Sequence, residues 1–65
     1  MTVINTVKAA QNHVIVRNVI IWNPYTSRAL YVGQANEIPK PLQNQEVHAY
    51  RYDKDRQRMI IRVQT

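Results

Sequence analysis

The excess of β-branched over unbranched aliphatic residues constrains the fold of this chain more than any other feature of its sequence. Isoleucine and valine together number 15, whereas leucine occurs only twice. β-Branched side chains fit the pleated, half-buried surface of a strand and lose rotamer freedom in a helix. The composition therefore predicts that most of the ordered chain is β-sheet.

Four segments combine β-branched or aromatic side chains with flanking turn residues, and we predict each to be a strand. They are residues 14–22, interrupted near Asn18, then 28–32, 46–53 and 58–64. In the second strand we expect Leu30 and Val32 to face the core. The polar residues 53–57 predict a hairpin loop that joins the last two strands.

A proline-containing segment separates the two predicted hairpins. Pro39 and Pro41 exclude it from a central strand, because proline has no N–H to donate to a strand ladder. Ile38 and Leu42 lie four residues apart, which favours one helical turn with two buried anchors.

The N-terminal segment is compatible with either a helix or a strand. Val3, Val7 and Ala10 fall on one helical face, whereas the β-branched residues within 2–7 favour a strand. We expect the helix, which gives an α+β fold with a small, mostly antiparallel four-stranded sheet. The alternative is an all-β, five-stranded small barrel with residues 2–8 as a strand.

The size of the chain limits both its stability and its chemistry. With 65 residues and no cysteine, we expect one small domain over residues 1–65, without a disulfide. Domains of this size have little core to offset the entropy of folding, which favours self-association. No apolar run is long enough to span a membrane and no secretory signal is present, so we expect a cytoplasmic protein without membrane contact.

The chain carries no motif for catalysis or cofactor binding. One glycine excludes a glycine-rich phosphate loop, and the single serine lies outside any nucleophile motif. The two histidines, His13 and His48, lack metal-ligand spacing. We therefore expect no enzyme, no cofactor, no metal site and no small-molecule substrate.

Side-chain alternation divides the predicted hairpin of 46–53 and 58–64 into two faces. Matching Val47 and Ala49 with Ile61 and Val63 gives an apolar core face. The opposite face is then aromatic and cationic and is our candidate binding site; it consists of His48, Tyr50, Tyr52, Arg58, Ile60 and Arg62. A smaller aromatic patch is predicted from Trp22, Tyr25 and Tyr31.

This candidate face is compatible with several functions. Tyrosine and arginine are enriched at protein interfaces, but they also stack on bases and bind phosphate, helped here by a net charge of +5. The same neighbours also stabilise a solvated sheet without any ligand. The cations are scattered, and no known nucleic-acid-binding motif is present. We expect a non-enzymatic interaction protein that forms a homo-oligomer or binds a host protein; the alternative is a nucleic-acid-binding module.

The order of several short motifs resembles a known group of proteins. The motifs are Leu-Tyr-Val-Gly-Gln-Ala at 30–35, Glu-Ile-Pro-Lys-Pro-Leu at 37–42, Glu-Val at 46–47 and Met-Ile-Ile-Arg-Val at 59–63. This order resembles short, uncharacterised proteins encoded in phages and prophages of Gram-positive bacteria, although those proteins are acidic and this chain is basic. The resemblance implies a helix before the first strand and a phage-type accessory protein without catalytic residues.

Overall fold

The computed structural model describes residues 1–63 and contains four strands and two helices. The elements are α1 (Val3–Gln11), β1 (Asn18–Asn23), β2 (Arg28–Gln34), a 3-10 turn (Ala35–Glu37), α2 (Lys40–Gln43), β3 (Val47–Asp53) and β4 (Arg58–Val63). The strands form one open sheet in the order β2-β1-β4-β3. This confirms the α+β prediction with a four-stranded sheet, and the closed-barrel alternative is wrong. Gln64, the last residue of the predicted fourth strand, lies outside the described residues.

The sheet consists of two antiparallel hairpins joined side by side. β1 pairs with β2, and β3 pairs with β4, in the antiparallel sense. The central strands β1 and β4 run parallel to each other. Parallel neighbours need a long connection, and the segment with α2 carries the chain from one edge of the sheet to the other.

Helix α1 forms because its apolar positions follow the helical repeat. Val3, Thr6 and Val7 are buried and lie on one side of the helix. The Thr2 hydroxyl oxygen caps the helix by accepting a hydrogen bond from the backbone N–H of Asn5 at 3.3 Å. Burial of this stripe outweighs the strand preference of the β-branched residues, since most helical stability comes from packing.

The hydrophobic core lies on one side of the sheet. Alternate residues of the two central strands are fully buried there and pack with Val3 and Val7; they are Val19, Ile21, Met59, Ile61 and Val63. Ile38 is buried and Leu42 is partly buried against the same cluster, as predicted for the two anchors. Within the described residues, both helices contribute to this side, and the opposite side carries no helix.

Strand β2 has its two faces reversed relative to the prediction. Tyr31 pairs with Ile21 and packs against the core, whereas Val32 is 67 % exposed and Leu30 is 42 % exposed. The reversal follows from a β-bulge at Leu30, because Trp22 pairs with Ala29 but the next residue, Ile21, pairs with Tyr31. It buries most of the large tyrosine ring and leaves the two aliphatic side chains on the helix-free side.

Gly33 makes room for the Tyr31 ring. A Cβ atom at Gly33 would lie 2.6 Å from the hydroxyl oxygen of Tyr31 and 2.9 Å from the adjacent ring carbon. The ring folds over this glycine, and its hydroxyl donates a hydrogen bond to the Gln34 carbonyl oxygen at 2.9 Å. A close approach of this kind requires a residue without a side chain.

Candidate functional site

The β3–β4 hairpin forms with a different register from the predicted one. Val47 pairs with Val63, as predicted, but Ala49 pairs with Arg62. His48, which is exposed, is the extra residue of a β-bulge between these two pairs. A bulge adds one residue to one strand and so exchanges the faces of every residue beyond it.

The bulge divides the predicted aromatic and cationic face. Tyr50 pairs with Ile61, and Tyr52 pairs with Met59, so both tyrosines belong to the helix-covered side. Paired residues point to the same side of a sheet. The prediction that His48, Tyr50 and Tyr52 share one face with Arg58, Ile60 and Arg62 is therefore wrong. Alternation alone treats Ala49 as a core residue, but the larger Tyr52 ring covers more of the core.

Tyr52 has a structural role in the fold. Its ring packs against the core cluster, and its hydroxyl donates a hydrogen bond to the Ile15 carbonyl oxygen at 2.6 Å. Tyr50, two residues earlier on the edge strand, is 57 % exposed, and its hydroxyl makes no hydrogen bond within the described residues. The bond from Tyr52 fixes the connection between α1 and β1 to the edge of the sheet.

The smaller aromatic patch is not assembled either. Trp22 is partly buried on the helix-free side, whereas Tyr31 lies on the helix-covered side. Tyr25 is exposed in the β1–β2 turn, where its backbone N–H donates to the Asn23 side-chain oxygen at 2.9 Å. Of these three residues, only Trp22 lies on the same side as Arg58, Ile60 and Arg62.

The helix-free side of the sheet forms one continuous surface, which we call the open face. It comprises Asn18, Ile20, Trp22, Ala29, Leu30, Val32, Gln34, Ala49, Arg51, Asp53, Arg58, Ile60 and Arg62. The register aligns four of them in a first row across all strands, in the order Val32, Ile20, Ile60, Arg51. A second row follows the order Ala29, Trp22, Arg62, Ala49, and Leu30 lies beside Ala29 as the extra residue of a β-bulge.

In these two rows the open face is apolar on β2 and β1 and cationic towards β3. Arg58 is partly neutralised, because its Nε donates to the Asp53 carboxylate at 3.3 Å. The side chains of Arg51 and Arg62 make no ion pair or hydrogen bond within residues 1–63. Between them lies a depression of about 170 Å³, lined by Ala49, Tyr50, Arg51, Ile60 and Arg62.

Sequence reasoning missed most of this surface. Ile20 reaches Ile60 only through the parallel pairing of β1 with β4, which connects residues 40 positions apart. The signal that was available is that both central strands have apolar residues at consecutive positions. Such strands are typically buried on both faces.

The edges of the sheet are less suited to binding than its open face. Both edge strands contain a β-bulge, at Leu30 in β2 and at His48 in β3. Bulges interrupt the ladder and hinder the addition of another strand at an edge. The open face therefore remains the better candidate.

The described residues, 1–63, give little support to a metal site or a membrane-spanning segment. Residues 1–63 contain no group of three or more His, Asp or Glu side chains placed to hold a metal ion. Neither helix that the structure describes has the length and apolar character needed to cross a membrane. Comparisons with protein-family models, with curated proteins and with solved structures found no match.

Proposed function

We propose that this chain is a non-enzymatic interaction protein whose open face packs against an apolar surface of another protein chain. One observation carries the proposal: Val32, Ile20 and Ile60 form an apolar row across the sheet that no helix within residues 1–63 covers. Two of these residues, Ile20 and Ile60, belong to the central strands and are only half-buried, so they lack part of the free energy that full burial supplies. A covering chain would recover that free energy.

The composition of the open face favours protein over nucleic acid. Among residues 1–63, Trp22 is the one aromatic residue in its two rows, whereas Tyr50 and Tyr52 pair with residues of the other side and Tyr50 only borders the depression. Binding of single strands relies on several aromatic platforms along a cationic groove. Aliphatic side chains have no hydrogen-bond donor for a phosphate group. A row of them is instead typical of the apolar centre of a protein interface.

The biological setting is part of the same proposal. A phage-type accessory role, as the sequence resemblance implies, requires no catalytic site. A location in the cytoplasm agrees with a chain that contains no cysteine.

Site-specific photo-crosslinking in extracts of the native cell tests this function. A photoreactive amino acid replaces Val32 on the open face or, as a control, Ile15, which is 60 % exposed outside that face. We expect a protein that is crosslinked only from position 32. In purified form it should bind the Val32→Lys variant about tenfold more weakly, a change of roughly 1.4 kcal/mol, and the Ile15→Lys variant normally. Crosslinking to nucleic acid, or the same products from both positions, contradicts the proposal.

A further inference from the structure

We propose that the protein chain covering the open face is a second copy of the same chain, related by a two-fold axis parallel to the strands. This inference rests on the proposed function, because it names the partner of the surface proposed there. The axis lies between the two sheets and follows the boundary of β1 and β4. It places β2 of one copy over β3 of the other and β1 over β4.

The first row of the open face is complementary to itself under this operation. Ile20 packs on Ile60 of the second copy, and the reverse contact forms at the same time. The centre of the interface is then a cluster of four isoleucines. Val32 at one end of the row faces Arg51 at the other end, where the arginine stem covers the valine and its guanidinium group stays in solvent.

The second row of the open face is also complementary to itself under this operation. Trp22 faces Arg62 of the second copy, an arrangement that allows a cation–π contact on each side of the axis. Ala29 and the bulged Leu30 beside it face Ala49 of the second copy, next to the depression between Arg51 and Arg62. Because Ala49 is small, the Leu30 side chain has space to enter this depression.

The orientation of the axis keeps like charges apart. A two-fold axis across the strands would place Arg51 opposite Arg51 of the second copy. The axis along the strands instead places each cationic edge over an apolar edge. The copies still repel at long range, since each carries a net charge of +5. Salt screens that repulsion, and we expect association to become stronger as ionic strength rises.

The size of the open face sets the strength of the dimer. Four strands spaced by ~4.8 Å and six residues rising by ~3.3 Å give a face of roughly 19 × 20 Å. Two such faces give a flat area of roughly 760 Å² in total, which is below the ~1,200 Å² of standard specific interfaces and typical of weak, transient ones. We therefore expect a reversible, concentration-dependent dimer.

Charge substitutions at Val32 test the arrangement by sedimentation analysis. Val32→Lys places a lysine opposite Arg51 twice in one dimer, so we expect about a hundredfold weaker association, roughly tenfold for each site. Val32→Glu creates two opposite-charge pairs and should dimerise at least as well as the wild type. Ile15→Lys and Ile15→Glu are the matched controls for net charge. Equal loss of dimer with lysine and glutamate at Val32 overturns the proposed axis.

Chemical crosslinking gives a second, independent readout. Because the chain contains no cysteine, Val32→Cys and Arg51→Cys each introduce one thiol. Packed sheets lie about 10 Å apart, within reach of a short bismaleimide. The mixed variants should crosslink to each other, and neither should crosslink alone; self-crosslinking of Val32→Cys overturns the axis. A strict monomer overturns the second-copy inference, whereas the photo-crosslinking experiment decides the proposed function separately.

Discussion

Replacing Tyr52 and Tyr50 in parallel tests the bulged register, on which the composition of the open face depends. In an unbulged hairpin both tyrosines would lie on the helix-free side, away from the core, and would be nearly equivalent. In the structure only Tyr52 packs on the core, and only its hydroxyl binds the Ile15 carbonyl oxygen. The two positions should therefore differ strongly in their effect on the free energy of unfolding.

The expected magnitudes follow from the contacts of each ring. Truncating a fully buried aromatic ring to alanine costs about 3–5 kcal/mol, so the partly buried Tyr52 should cost about 2 kcal/mol. Tyr52→Phe removes one hydrogen bond at the surface and should cost about 0.5–1 kcal/mol. Tyr50→Ala and Tyr50→Phe should each change stability by less than about 0.5 kcal/mol.

Thermal unfolding followed by circular dichroism is the assay. In a domain of this size 1 kcal/mol corresponds to roughly 4–8 °C, so Tyr52→Ala should lower the Tm by roughly 8–16 °C. Tyr50→Ala should lower it by no more than a few degrees. Measurements use Val32→Lys as the background, so that altered dimerisation does not contribute. Equal destabilisation at both positions would refute the bulged register.

Three further predictions follow from the same contacts. Gly33→Ala introduces a Cβ that meets the Tyr31 ring, so it should lower stability by about 1–2 kcal/mol in urea unfolding; an unchanged midpoint would mean that the ring does not occupy this position. Ile61→Ala removes a fully buried side chain of β4 and should cost about 2–5 kcal/mol, leaving much of the chain unfolded at room temperature; a cooperative unfolding transition with unchanged midpoint would contradict the one-sided core. Trp22 is the only tryptophan and lies on the open face, so its fluorescence emission should shift to the blue as protein concentration rises. Val32→Lys should abolish that shift. An emission maximum that does not depend on concentration would contradict burial of Trp22 in a dimer.

The elements of the fold could be predicted from local sequence patterns. The four strands, the hairpin loop after Asp53 and the anchors Ile38 and Leu42 all follow from side-chain type and turn residues. The N-terminal helix follows from the spacing of Val3 and Val7, although its β-branched residues equally allowed a strand. Each of these features depends on residues that are close together in the sequence.

The composition of the open face could not be predicted in the same way. A single bulge at His48 exchanges the faces of the strand beyond it, and the alternation pattern does not reveal where a bulge occurs. The parallel pairing of β1 with β4 brings Ile20 beside Ile60, and this pairing depends on the whole topology. The predicted site therefore retained Arg58, Ile60 and Arg62 but missed the apolar residues next to them.

The central claim, that two copies pack through their open faces, is tested most directly by the solution mass of the wild-type chain. Light scattering measures this mass over a range of protein concentrations, at low and at high salt. A dimer built from two open faces should form reversibly, and its fraction should increase with both concentration and salt. A monomer under every condition, or an association that salt abolishes, would contradict packing of two copies through this surface.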